Sequence, residues 1–365
     1  MTQFIKFLRQ IFEINLMNFY ILFFLYRLYK YIRNTEFLHL YRNEWAFSET
    51  LINFSGGFTR RGLLGEIFDL TIKNTENIVL ASFLFYLVSI VHLLYFVILK
   101  VKKFSILNQI ITLIVPFGLI YFANNLNFLF GRRDLLILNL LIFFTQKKNI
   151  DLNKFYLIIF LIFGILASMM YEVFLLFIPL FFLYFKNNVN QFFVKIIFIT
   201  IIIFNLVILT FYSTPKNFKL LCENITTKRE QLFLNNKGCW GAPAYLETSS
   251  IYNAVNEISG GLQFTGYFIW LVFLMILYIF ITNVVHLPYY KMLSLMPLLL
   301  LFFIAQDYGR WLLLIFFVSL IIGEVSLKNS GGKSNLFFSI LLLLTAALEM
   351  PIYLYQEIDY FKLIH

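Results

Sequence analysis

Runs of fifteen to twenty-five apolar residues, built mainly from Phe, Leu and Ile, recur along the chain. Such a run matches the ~30 Å hydrocarbon core of a bilayer, which a helix crosses in ~20 residues. In a soluble fold, many helices would be apolar on every side, and no single core could bury them. Charged residues make up only 13% of the chain, against roughly 25% in a soluble domain. The sequence therefore specifies an all-α, polytopic transmembrane bundle, read as a single transmembrane domain over 1–365. Lys6 and Arg9 precede the first apolar run without a small-residue cleavage site, which reads as an uncleaved first span rather than a signal peptide.

About eleven spans are expected, near 11–31, 78–99, 105–123, 134–146, 153–170, 172–186, 191–212, 263–284, 292–305, 311–326 and 335–355. The segments 134–146 and 172–186 are short for a full crossing. No internal repeat is visible.

Sidedness follows from the short basic connections. Lys100, Lys102 and Lys103 follow the second span, Lys147 and Lys148 the fourth, Lys186 the sixth, Lys291 the eighth, and Lys328 and Lys333 the tenth. Placing these in the cytoplasm puts the N-terminus inside and the C-terminus outside. The outer set then includes a first external segment, 32–77, and a large external loop, 213–262. Arg27, Lys30, Arg33 and Arg42 disagree, because they follow the first span on the outer side. Five later turns outweigh them. The net charge of +10 reflects this topology rather than nucleic-acid binding, since the cations are scattered between apolar blocks.

Four charged islands fall on the outer side, although only the lysine turns set the orientation. Charge near membrane depth is expensive and marks a candidate site. The run Ser55–Ile67 (SGGFTRRGLLGEI) carries glycines suited to close backbone approach and the pair Arg60 and Arg61. Adjacent guanidinium forks suit a diphosphate, or else anchor to lipid headgroups. An amphipathic segment with Leu63, Leu64, Ile67, Phe68 and Leu70 is expected to lie in the interface plane. Arg132, Arg133 and Asp134 sit at the mouth of a short span. There Asp134 is placed to orient an arginine and to cap a helix start, two compatible roles.

Tyr171 and Glu172 stand between Met170 and the run Val173–Phe177. A carboxylate in so apolar a setting holds its proton more tightly than usual unless paired. Glu172 is thus a general base or acid, a partner to an arginine, or simply a residue that ends a span. Asp307 and Arg310 share a face if helical. Tyr308 and Trp311 fit an interfacial aromatic belt, and also sugar stacking.

Both cysteines, Cys222 and Cys239, lie in the large external loop, which fits a disulfide in an oxidising compartment. Trp240, Tyr245, Tyr252, Lys228, Arg229 and Glu230 of that loop are suited to covering a polar ligand. No Cys/His cluster has metal-ligand spacing, and no glycine loop precedes a Lys-Ser/Thr. Neither a metal nor a nucleotide cofactor is expected.

Arginines for a diphosphate, a carboxylate for proton removal and aromatics for sugar rings together describe glycosyl transfer from a lipid-linked donor. The chain resembles bacterial O-antigen polymerases and related polysaccharide polymerases in length, span number and external loop. The islands GGFTRRGLLGE, FGRRD, YEVFLLFIP and QDYGRW carry the resemblance in sequence. It implies a GT-C-like enzyme of the bacterial inner membrane that joins undecaprenyl-diphosphate-linked oligosaccharides on the periplasmic face. Its implied partners are that substrate, membrane lipids and a chain-length regulator protein. By that analogy Arg60, Arg61, Arg132, Arg133 and Arg310 hold diphosphate, with Glu172 or Asp307 as the base. A flippase for lipid-linked oligosaccharides, an O-antigen ligase and another polyprenyl-linked glycosyltransferase are the alternatives. A flippase should carry polar residues through its spans and repeated halves, whereas polarity here lies at one edge.

Overall fold

The structure is a computed structural model that describes residues 2–33, 50–59, 61–72, 74–126, 132–146, 154–185, 191–212, 215–231, 264–304, 308–323 and 333–345. Among them every regular element is helical. In chain order these are α1 (Thr2–Arg33), α2 (Gly62–Thr71), α3 (Thr75–Val101), α4 (Ile106–Ile114), α5 (Leu119–Asn124), α6 (Asp134–Gln146), α7 (Lys154–Met170) and α8 (Phe174–Phe185). There follow α9 (Gln191–Phe211), α10 (Phe218–Gln231), α11 (Phe264–Phe280), α12 (Tyr289–Leu293), α13 (Leu301–Ile304), α14 (Tyr308–Ile322) and α15 (Lys333–Leu344). A π-turn, Ile281–Val285, extends α11, and a 3₁₀ turn, Met296–Leu300, joins α12 to α13.

Among the described residues, three segments are long and apolar enough to cross a membrane: Glu76–Val101, Ile106–Asn124 and Phe192–Phe211. Five shorter apolar helices accompany them. The chain is a helical membrane protein. The segments expected to be short are so: α6 has 13 residues and α8 has 12. At 1.5 Å per residue each rises only ~20 Å, well below the hydrocarbon thickness.

The helices group into two compact units. One comprises 1–34, 93–126 and 255–365; the other comprises 35–92 and 127–254.

In the first unit, α1 packs on α4 and α5. Phe24 stacks on Phe122, and Phe122 meets Phe317 of α14 edge-on. The Tyr20 hydroxyl donates to Leu119 O at 3.1 Å. The expected span 105–123 is broken at 115–118, where Pro116 and Gly118 interrupt α4 and α5. A Cβ at Gly118 would lie 2.6 Å from Thr112 O, so the turn requires glycine. Phe117 fills this break against Phe280 and Phe316. The break is therefore an apolar plug rather than a polar midplane site.

Two lysines of the basic turns cap one helix end. Lys100 Nζ donates to Ile321 O at 2.6 Å, and Lys291 Nζ to Ile322 O at 2.9 Å. Cations are favoured there because the last carbonyls of a helix lack partners and carry its negative dipole end. At the other end of the unit, the Arg27 guanidinium donates to Asn124 O at 3.3 Å. The C-terminal parts of α1 and α5 thus meet.

In the second unit, α7 packs along α9. Gly164 lets Ile201 approach, and Asn205 donates to the Ser168 hydroxyl at 2.5 Å in a buried contact. Small residues with one polar link are the usual way helices associate without a hydrophobic drive. Phe144, Phe160, Phe181, Phe185 and Phe198 complete this core.

Candidate functional site

Three of the four charged islands meet in the second unit. The break between α7 and α8 leaves Tyr171 and Glu172 outside both helices. Glu172 pairs there with Arg61, 111 positions earlier. The Arg61 Nε lies 3.0 and 2.9 Å from the two carboxylate oxygens, and Nη2 donates to Oε1 as well. Both side chains are largely enclosed, with 20% and 15% of their surfaces accessible. Tyr171 is buried, and its ring centre lies 5.5 Å from the Arg61 guanidinium carbon. The arginine is thus held by a carboxylate and by an aromatic face.

The second island closes on the same break. Arg133 is 1% exposed, and its Nη1 donates to Met170 O, the last residue of α7, at 2.5 Å. Arg132 and Asp134 are also buried, and Asp134 begins α6. Around one helix break therefore lie Arg61, Arg133 and Glu172, with Arg132 and Asp134 adjoining in sequence. Burying several guanidinium groups is costly unless anions or carbonyls face them.

The glycine-rich run builds the seat of Arg61. Gly57 turns the chain at φ 98. A Cβ on Gly62 would lie 2.4 Å from the Phe54 ring, and one on Gly65 would lie 2.1 Å from Ile52 O. Arg61 itself has φ 66 and directly precedes α2. A left-handed backbone costs a non-glycine residue ~1–2 kcal/mol, and such strain concentrates at functional positions. Thr59 beside it is buried, and its hydroxyl has no hydrogen-bond partner among the described residues. The helix expected after the arginines is α2. It buries Leu64 and Phe68 and exposes Ile67 and Leu70.

Polar groups that the sequence alone did not mark, Glu66, Asn53 and Asp69, brace this seat. Glu66 Oε2 accepts from Phe54 N at 2.9 Å. Asn53, 2% exposed, donates to Asp69 and, at 3.3 Å, to Asn224. Lys228 of α10 pairs with Asp69. Glu66 and Asp69 stand three apart on one helix, a spacing that could have marked them as sharing a face. Cys222, also on α10, is disulfide-bonded. Cys239, the chain's one other cysteine, lies outside the described residues.

The fourth island belongs to the first unit. Arg310, at the start of α14, stacks over Trp311 at 4.0 Å. Tyr308 is the first residue of α14. Asp307 and Arg60 lie outside the described residues, as do Arg42, Trp240, Tyr245 and Tyr252. Among the described residues no group of His, Cys, Asp and Glu side chains could hold a metal ion. No protein family, curated protein or solved structure matches the chain.

Proposed function

We propose that this protein is a glycosyltransferase that transfers glycan from a polyprenyl diphosphate to a sugar hydroxyl, and that it polymerises surface polysaccharide such as O-antigen. The observation that carries the reading is the Arg61–Glu172 pair beside Arg133 at a break between two short apolar helices. Cations and a carboxylate at such a place suit a substrate whose tail is apolar and whose headgroup is a diphosphate. The orphaned Thr59 hydroxyl offers one further polar contact for a phosphate oxygen.

In this scheme Arg61 and Arg133, joined by Arg60 and Arg132, hold the diphosphate. Glu172 takes the proton of the acceptor hydroxyl. The acceptor oxygen bonds to the donor's anomeric carbon. The bond from that carbon to the diphosphate oxygen breaks, and the polyprenyl diphosphate leaves with the electron pair. Arginines aimed at the leaving group stabilise the charge it gains. Tyr171 and Asp134 are candidate positioning groups. The site would face the periplasm from the inner membrane, consistent with the disulfide at Cys222.

Deleting the gene and resolving the surface glycan by length tests this reading. A polymerase mutant should keep core with a single repeat, whereas a ligase or flippase mutant should show bare core. Arg133→Ala and Glu172→Gln, each restored to the deletion strain, should lower chain extension on the order of a hundredfold, the usual cost of one lost transition-state contact. Wild-type chain lengths in both variants, with normal protein levels, would overturn the site assignment.

A further inference from the structure

The grip of Arg61 on Glu172 conflicts with both proposed roles. A carboxylate that accepts several N–H bonds from a guanidinium is a poor base, because those bonds favour its charged form. A guanidinium that spends its Nε and Nη2 on Glu172 has fewer donors for a diphosphate. The two defects have one remedy. We propose that Arg61 is a substrate-operated latch: it exchanges the Glu172 carboxylate for the arriving diphosphate, and this exchange frees Glu172 to act as the base. The proposal rests on the glycosyl-transfer reading and specifies how that site is switched on.

Three features favour exchange over a permanent brace. The first is charge. A diphosphate ester presents more negative charge and more acceptor oxygens than one carboxylate, so it outcompetes Glu172 for a planar fork. The second is position. Arg61 is the last residue before α2 and adopts φ 66. A side chain at a turn can be re-aimed by a modest backbone change, which one embedded in a helix cannot. The third is support. The Tyr171 ring lies 5.5 Å from the guanidinium carbon. A cation over an aromatic face is held loosely in direction, so the ring can steady Arg61 both before and after exchange. Glu172 lies in the α7–α8 break, so it is free of a helix on either side. Until substrate arrives, the pair also spares the membrane edge an isolated carboxylate. A latch of this kind would keep the base inactive toward water in the absence of donor.

The test uses the full-length protein in nanodiscs, with farnesyl diphosphate as the probe. A diazo reagent that esterifies protonated carboxyl groups is applied at mildly acidic pH, and peptide mass spectrometry reads the yield at Glu172. Without probe, Glu172 should react slowly. With saturating farnesyl diphosphate its esterification should rise at least about fivefold, as expected for a carboxyl freed from a cation. In Arg61→Ala, Glu172 should react readily from the outset, and the probe should add little. If Arg61→Ala fails to fold, Arg61→Lys, which keeps the charge but loses the fork, should show intermediate basal labelling. Binding of farnesyl diphosphate to the wild type without a rise at Glu172 overturns the latch and leaves the glycosyl-transfer reading standing. An equal rise in wild type and folded Arg61→Ala overturns it likewise. Absence of farnesyl diphosphate binding overturns both.

Discussion

Arg61 combines a left-handed backbone with a largely enclosed charge, and the two features can be separated by substitution. Glycine occupies φ 66 without penalty, whereas alanine keeps the penalty and also loses the side chain. Arg61→Gly should therefore unfold about 1 kcal/mol less readily than Arg61→Ala, while both lose function equally. Thermal unfolding of the two variants in detergent checks this; equal stabilities would mean that the left-handed turn is not kept in solution. The glycines divide in a similar way. At Gly65 a Cβ meets backbone, Ile52 O at 2.1 Å, while at Gly164 it meets the far end of the Ile201 side chain at 2.6 Å. Gly65→Ala should fail to accumulate in the membrane, and Gly164→Ala should cost under about 1.5 kcal/mol, since a flexible side chain can yield. Immunoblots of membrane fractions read the first, and unfolding midpoints the second. The sequence marked the run 55–67 as unusual by its glycines and arginines. It could not assign Glu172 to Arg61, because a contact spanning 111 positions leaves no local periodicity to read.

Elements were the most legible scale, because a helix in lipid must be long and apolar and composition reports both. The expected short segment 134–146 is α6 to the residue, and 172–186 contains α8. Interruptions were less legible. Pro116 and Pro297 lie inside apolar runs, and both mark departures from α-helix, at 115–118 and at Met296–Leu300. Hydropathy averages over such breakers, although each was readable as punctuation. The segment 213–262 likewise hid α10, whose short apolar stripe of Phe218, Leu221 and Ile225 is set in an otherwise polar sequence that hydropathy passes over. Between elements, the α7–α9 contact offers a clean measurement. Asn205 donates to the Ser168 hydroxyl and to Ile201 O, all buried. Asn205→Leu should destabilise the pair by roughly 0.6–1.7 kcal/mol, the range for hydrogen bonds between membrane helices. Ser168→Ala should cost less alone and almost nothing added to Asn205→Leu. A double-mutant cycle in a reversible detergent unfolding assay tests this; additive losses would show that the contact contributes no coupling.

For the whole molecule, the question is which helix ends share a side of the membrane. Within the first unit the structure groups them in two sets. Lys100 and Lys291 reach the last carbonyls of α14, whereas Arg27 reaches Asn124. Because α4 and α5 run from one set to the other, the sets lie at opposite ends. The Arg27 charge, which the lysine turns left unexplained, caps a carbonyl at its end of this unit. The disulfide at Cys222 adds an independent constraint, since such bonds persist in oxidising compartments. Three exposed positions test the sides expected from the lysine turns. Lys103 and Tyr290 adjoin the basic turns, and Lys219 shares α10 with Cys222. Single cysteines at Lys103 and Tyr290 should react with an impermeant maleimide only after the inner membrane is opened. A cysteine at Lys219 should react in cells whose outer membrane alone is permeable. Labelling of Lys103→Cys and Lys219→Cys from the same side would remove the topology on which the candidate site depends. Labelling from opposite sides would put the face that carries Cys222 opposite the basic turns, as the proposed site requires.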